Sequence, residues 1–336
     1  MVGIVLSQAQ QRRKGCEMVK VAMAGAGAFG NKHLDGLASI PGAEVIAVVD
    51  PVEAAARKVA EARGIDRVET SLDAVLADDA IEAVILATPT PLHAEQAIAC
   101  LEAGKHVEVE IPLCDNLADG RAVVEAQQRS GKVAACGHTR RFNPSHQWVR
   151  NRIGAGDFSI QHMDVQTFFF RRTNTNALGE PRSWTDHLLW HHAAHTVDLF
   201  QYQTGSPVVS AQAMQGPMHP ELGIAMDMSI QLLTEAGQLC TLALSFNNDG
   251  PFGTFFRYIG DTGTYIARYD DLVTGNEEPI DVSGVDVSMN GIELQDRDFI
   301  AAIVEDREPV ASVASVLPCY EVLHQIEQGL VHPVAA

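Results

Sequence analysis

Residues 20–30, KVAMAGAGAFG, decide the fold. An apolar run of strand length turns directly into Gly25-x-Gly27-x-x-Gly30, and a helix follows. Gly25 permits the tight turn, Gly27 lets backbone amides approach an anion, and Gly30 lets helix and strand pack closely. The next apolar run, EVIAVVD, ends at Asp50, twenty residues past Gly30. Strand, glycine turn, helix and terminal acid together form a dinucleotide site, with the pyrophosphate on the helix N-terminus and Ala28 and Phe29 completing its loop. Asp50 would bond the adenosine hydroxyls and repel a 2′-phosphate, which favours NAD over NADP; Arg57 moderates that preference. The plainer readings are a glycine turn without ligand and an Asp50 that merely ends a strand before Pro51.

The strand–helix rhythm continues outward. AAARKVAEARG reads as a helix closed by Gly64, AVILATPT as a strand, HAEQAIACLEAGK as a helix, HVEVEIPL as a strand, DGRAVVEAQQRSGK as a helix and VAACGHT as a strand. Short apolar strands alternating with amphipathic helices predict a doubly wound parallel sheet over 18–140. Beyond it the pattern changes to successive strands: IQHMDVQTFFFRR, VSAQAMQG, IAMDMSIQLLT, LCTLALSFNN, TFFRYIG and TYIARYDDL. Hairpin turns at EAGQ and GDTGT predict a large, mostly antiparallel open sheet in an α+β domain over 141–311. WTDHLLWHHAAHTVDLFQYQTG is expected to lie against it as one helix, opened by a Ser183/Asp186 capping box and closed by Gly205. Helices near 291–306 and 312–330 end the chain, the latter with the tail over 312–336. Residues 1–17 read as an extension, expected to be disordered.

The chain has 336 residues, 46% hydrophobic and 20% charged, with a formal charge of -19. That charge disfavours nucleic acids and anionic membranes, and it obliges any acidic ligand to find clustered arginines. The six cysteines form no C-x-x-C pair, so neither a zinc ribbon nor a disulfide framework is indicated and a cytoplasmic setting fits. No apolar run is long enough to span a membrane, and the basic residues near the start follow its apolar stretch, the reverse of a signal peptide.

His187, His191, His192 and His195 crowd one segment. On a regular helix His187, His191 and His195 share a face, and His192 points elsewhere and reads as packing. Histidines four apart can ligate zinc, but the H-E-x-x-H glutamate is missing and a hydride acceptor is already implied, so no metal is expected. Asp198, a turn further on, is placed to fix the tautomer of His195.

GAGAFG, ATPTPLHAEQAIACLEAGKHVEVEIP, GHTRRFNP and HTVD, in that order, resemble the Gfo/Idh/MocA oxidoreductases over nearly the whole chain after residue 18. The resemblance implies an NAD(P)-dependent dehydrogenase in which His195 is the base and Thr88, Pro89, Thr90, His93, Glu110, Ile111 and Pro112 border the nicotinamide. VEIPL, GHTRRFNPSHQ and GEPRSWTDHLLWHHAAHTVDLF are similar to the branch that oxidises a dicarboxylated cyclic hemiacetal to 2-pyrone-4,6-dicarboxylate in protocatechuate 4,5-cleavage, a branch that usually takes NADP. Two departures stand out. The family's usual lysine is Ile111, and its usual aspartate four residues before the histidine is His191, here expected to orient the substrate or relay its proton. An anomeric hydroxyl is acidic enough for a neutral histidine to serve as base without the lysine.

A dicarboxylate needs paired cations. Arg140 is expected at one carboxylate and Arg171 and Arg182 at the other, with Trp184 against the flat ring; Arg141 and Arg172 read as structural ion pairs. The rival readings are a family member for a sugar acid or polyol, and a nicotinamide-binding sensor without turnover. Apolar alternation on both faces of the second sheet predicts a homodimer or homotetramer joined through its open face.

Overall fold

The computed structural model describes residues 18–175, 179, 181–182, 184–285 and 290–330. The expected N-terminal extension, Ser183 of the expected capping box and the last six residues lie outside these. The first sheet holds β1 (Val19–Ala24), β2 (Ala43–Val49), β3 (Arg67–Glu69), β4 (Ala83–Leu86), β5 (His106–Val109) and β6 (Ala134–Cys136). Its order is β3-β2-β1-β4-β5-β6 and every pairing is parallel. Helices α1 (Ala28–Leu37), α2 (Glu53–Glu61), α3 (Leu72–Leu76), α4 (His93–Glu102) and α5 (Leu117–Ser130) connect these strands. All four residues of β4 are buried, as a strand covered on both faces requires. The strand order reverses between β1 and β4, so their carboxyl ends open the crevice where such sheets bind ligands.

The second sheet has the order β13-β12-β11-β7-β10-β9-β8, from β7 (Ile160–Phe168), β8 (Val208–Gln215), β9 (Asp227–Thr234), β10 (Leu239–Ser245), β11 (Gly253–Gly260), β12 (Thr264–Arg268) and β13 (Asp271–Thr274). All pairings are antiparallel except β7 with β10. Both expected hairpins form. TYIARYDDL, read as one strand, is two, folded back at Tyr269, whose φ of 54° is unusual for a bulky residue. The apolar alternation is one-sided. Met228, Ile230 and Leu232 of β9 point inward, whereas Ser229 and Gln231 lie exposed between them. On the outer face Arg257 bonds Asp164 at 3.1 Å, and Leu233 and Leu239 are its exposed apolar residues on β9 and β10.

α6 (Pro144–Gly154) leads into this sheet, and α8 (Gly291–Glu305) and α9 (Val313–Gln328) return from it to pack on α1 and α5. The expected long helix is shorter and begins later. His187 is extended (φ -124°, ψ 164°), residues Leu188–Ala193 form a wide π turn, and only α7 (Ala194–Thr204) is regular, closing at Gly205 in the left-handed region. The Asp186 carboxylate is held by Arg171 and Arg182.

The glycine turn is tightly built: a Cβ on Gly30 would stand 1.9 Å from the Gly25 carbonyl oxygen. Gly30→Ala is therefore expected to destabilise the fold by about 1–3 kcal/mol or more through overpacking. A thermal midpoint equal to that of the parent would show that the turn has room.

Candidate active site

The carboxyl ends of β1, β2 and β4 carry the features of a dinucleotide cradle. Gly25 has φ 105°, and a Cβ there would lie 2.3 Å from the Ala87 carbonyl oxygen. Gly27 has nothing within 4 Å of its missing Cβ, which leaves its surroundings open to a phosphate. Ala28 and Phe29 begin α1, and Phe29 is exposed, with the Lys32 ammonium 4.6 Å from its ring centre. Asp50 accepts the backbone N–H of Ala26 and of Val52, both at 2.9 Å, which fixes its carboxylate beside the turn with lone pairs left for ribose hydroxyls. These residues fit a dinucleotide. Arg57 pairs with Glu53 on the surface.

Thr88, Pro89 and Thr90 follow β4, and Thr90 starts a short turn into α4. His93 is buried and uses both ring nitrogens on carbonyl oxygens, 2.7 Å from Pro112 and 2.8 Å from Thr88, so it braces the loop from within. Glu110 accepts from the Ile111 N–H and bonds His33 at 2.8 Å; His33 reaches Asp296 of α8 at 2.7 Å. Burial alone would push the His33 imidazole down, but Asp296 and Glu110 outweigh it and hold it well above the usual histidine range. The cis Ile111–Pro112 peptide is thus anchored from both sides, and Ile111 packs on the core.

The histidines do not share one face. The π turn leaves His187 outside the helix, where its backbone N–H donates to His191 Nδ1 at 3.2 Å. Burial, then His187, pushes His191 down to about 2, so His191 is neutral and carries its proton on Nε2. Trp184 stacks on it, ring centres 5.5 Å apart. His195 is held well below the usual range by burial, then by the Arg140 guanidinium and His138. Asp198 does not fix the His195 tautomer. It is taken by Arg141 through two bonds of 2.8 and 2.6 Å, and lies 3.3 Å from His138 Nδ1.

The expected arginines divide as their surroundings dictate. Arg171 and Arg182 both bond the one carboxylate of Asp186, which His192 also meets at 3.1 Å. Arg182 lies 5.1 Å from the Trp184 ring centre. Arg140 stands 4.9 Å over the Tyr269 ring, bonds Asn143 at 3.3 Å, and pairs with no carboxylate among the described residues. The buried polar atoms without partners include Asp115 Oδ1, Arg140 Nε, Arg182 Nε, His191 Nε2 and His195 Nδ1. Such atoms are expensive unless a ligand completes them. Sequence reasoning missed Asp115, Asp186 and His33, whose roles depend on partners far along the chain. Among the described residues no group of three metal-ligating side chains forms, and no helix is long and apolar enough to cross a membrane.

Removing Arg141 would leave Asp198 buried with only His138 facing its charge. Arg141→Met is expected to destabilise the protein by about 3–5 kcal/mol in denaturant titration. Burial raises the Asp198 carboxyl, but His138 and Arg141 outweigh it and hold it low. Its contribution to stability is present above the unfolded-state pKa and fades as pH falls through the folded one. A variant as stable as the parent at neutral pH would remove the pair's structural role.

Two family descriptions match: "Oxidoreductase family, NAD-binding Rossmann fold" over residues 19–138 and "Bacterial oxidoreductases, C-terminal" over 144–286. The chain is 66% identical over 312 residues to the 4-carboxy-2-hydroxymuconate-6-semialdehyde dehydrogenase of Sphingobium sp. (strain NBRC 103272 / SYK-6), covering 93% of this chain and 99% of that one. It is 30% identical over 196 residues to the scyllo-inositol 2-dehydrogenase (NAD(+)) of Bacillus subtilis (strain 168), covering 57% and 56%. The oxidoreductase domain protein from Kribbella flavida shares the fold with a TM-score of 0.82 at 21% identity, over 93% of this chain and 97% of that one. With its parallel NAD-binding sheet and mostly antiparallel second sheet, the chain is a dehydrogenase that belongs to the Gfo/Idh/MocA oxidoreductase family.

Proposed function

We propose that the protein oxidises the cyclic hemiacetal of 4-carboxy-2-hydroxymuconate-6-semialdehyde to 2-pyrone-4,6-dicarboxylate in protocatechuate 4,5-cleavage. The observation that carries this reading is the set of guanidiniums with too few carboxylates: Arg171 and Arg182 share Asp186, and Arg140 has none. In a chain of charge -19 that surplus suits a dianion. The similarity to the Sphingobium semialdehyde dehydrogenase supports the same substrate.

Arg140 takes one carboxylate and Arg171 with Arg182 the other, while Trp184 flanks the flat ring. A nicotinamide bound at the carboxyl ends of β1 and β4 supplies the hydride acceptor. His195 takes the hydroxyl proton, and His191, as a neutral donor through Nε2, orients the oxygen. Arg140 depresses His195, so a substrate carboxylate on Arg140 relieves that repulsion and raises the proton affinity of the base when it is needed. Asp50 favours NAD and the closer resemblance favours NADP; either is accepted in this reading. Assembly through the outer face of the second sheet as a homodimer or homotetramer, in the cytoplasm, completes it.

Supplying the ring-cleavage product with NAD or NADP should give reduced nicotinamide. Reduction with sugar acids or polyols instead would favour the polyol reading, and none with any of these would leave a sensor. His195→Ala should cut kcat about 100-fold or more; a parent-like rate retires His195 as base. Asp50→Ala should weaken NAD more than NADP, and equal losses would mean that Asp50 does not read the ribose.

A further inference from the structure

The loop that lost the lysine carries a carboxylate with an unused oxygen. Asp115 lies between the cis Ile111–Pro112 peptide and Asn116, the residue that caps α5. Its Oδ1 is buried, has no partner and stands 3.9 Å from His191 Nε2, which is also buried and unpartnered. One atom comes from the loop after β5 and the other from the π turn before α7. They are too far apart to bond directly, and near enough to hold one oxygen atom between them.

The polarity of the pair decides which oxygen. His191 Nδ1 is occupied by the His187 backbone N–H, so Nε2 can only donate. A carboxylate can only accept. The atom between them must therefore both accept and donate. A hydroxyl does so; a carbonyl or carboxylate oxygen does not.

We propose, resting on the hemiacetal reading above, that the substrate hydroxyl lodges between His191 Nε2 and Asp115 Oδ1, which makes Asp115 a second proton acceptor for that hydroxyl beside His195. With the hydroxyl turned to Asp115, the C–H bond breaks with its electron pair passing to the nicotinamide. The O–H bonding pair closes the new C=O bond, and the proton is left on the carboxylate. The site selects the ring-closed hemiacetal over the open aldehyde, whose carbonyl would satisfy His191 and leave Asp115 facing a second acceptor. Once that proton has left Asp115, the lactone product meets the same mismatch, which favours its release. Burial pushes the Asp115 carboxyl up, in the direction that helps it hold a proton. A lysine at 111 would offer donors alone; the pair of Asp115 and His191 offers one of each.

Asp115→Asn reverses this polarity with little change of shape, since an amide can donate to the lactone carbonyl. Turnover of the hemiacetal and calorimetric binding of 2-pyrone-4,6-dicarboxylate are measured on the parent, Asp115→Asn and Asp115→Ala. Expected for Asp115→Asn is a kcat lower by about tenfold or more, with lactone affinity about tenfold higher. Asp115→Ala should lose kcat without that gain. Unchanged kcat, or lactone affinity in Asp115→Asn no higher than in the parent, overturns the role of Asp115. A parent that neither oxidises the hemiacetal nor binds the lactone overturns the substrate reading itself, and the proposal with it.

Discussion

One carboxylate, that of Asp186, organises the substrate half of the molecule. Arg171 reaches it from the chain leaving β7, Arg182 from the following loop and His192 from the π turn. Burial raises the cost of its charge, but these partners outweigh burial and hold the carboxyl far below its usual range. Two guanidiniums drawn to one carboxylate keep a net positive charge that neither would hold in place alone. After this contact His187 is extended, and the helix starts at Leu188, not at the tryptophan, with a wide first turn. That wide turn puts the His187 amide on His191 and fixes which nitrogen of His191 carries the proton.

The proton chemistry follows from which carboxylates are already committed. Glu110 is tied to His33, Asp198 to Arg141 and His138, and Asp186 to its arginines. None can serve a substrate without giving up a buried charge partner. His195 is kept neutral by burial and by a neighbouring cation, so it starts the reaction ready to accept. With an isoleucine at 111 the site still holds acid–base groups. In the proposed reading the work falls to the helix histidines and to Asp115, whose Oδ1 is uncommitted.

The glycine turn, Asp50 and the strand–helix alternation were legible because each depends on neighbours in sequence: a φ that only glycine adopts, an apolar run, a turn. The arginine and histidine candidates were legible by residue type, and the structure does draw Arg171, Arg182, Trp184, His191 and His192 into one cluster. The helix phase was misjudged because periodicity assumes a regular turn, whereas Leu188–Ala193 form a π turn. The His33–Asp296 contact joins residues 263 apart, and no local pattern announces it. The outer face of the second sheet was read as apolar from the alternation along its strands, yet the pleat separates Ile230 and Leu232 from Ser229 and Gln231.

Arg140 and Arg141 show how adjacent identical residues acquire opposite duties. The tight turn at 139–141 sends their side chains apart. Arg141 is satisfied by Asp198, the Val310 carbonyl and Ser315, and it locks the helix bearing His195 to the C-terminal segment. Arg140 is left with Asn143, the face of Tyr269 and an unsatisfied Nε. Burial lowers its proton affinity, with Tyr269 and Asp270 opposing it, yet a guanidinium stays charged, so the free protein carries a partly desolvated cation. A ligand carboxylate offsets that strain, and its binding is coupled to folding stability through the same term. The cation that makes the empty site costly is also the one that suppresses His195. In the proposed reading a substrate carboxylate on Arg140 relieves both at once, lifting from His195 the largest cause of its depression after burial.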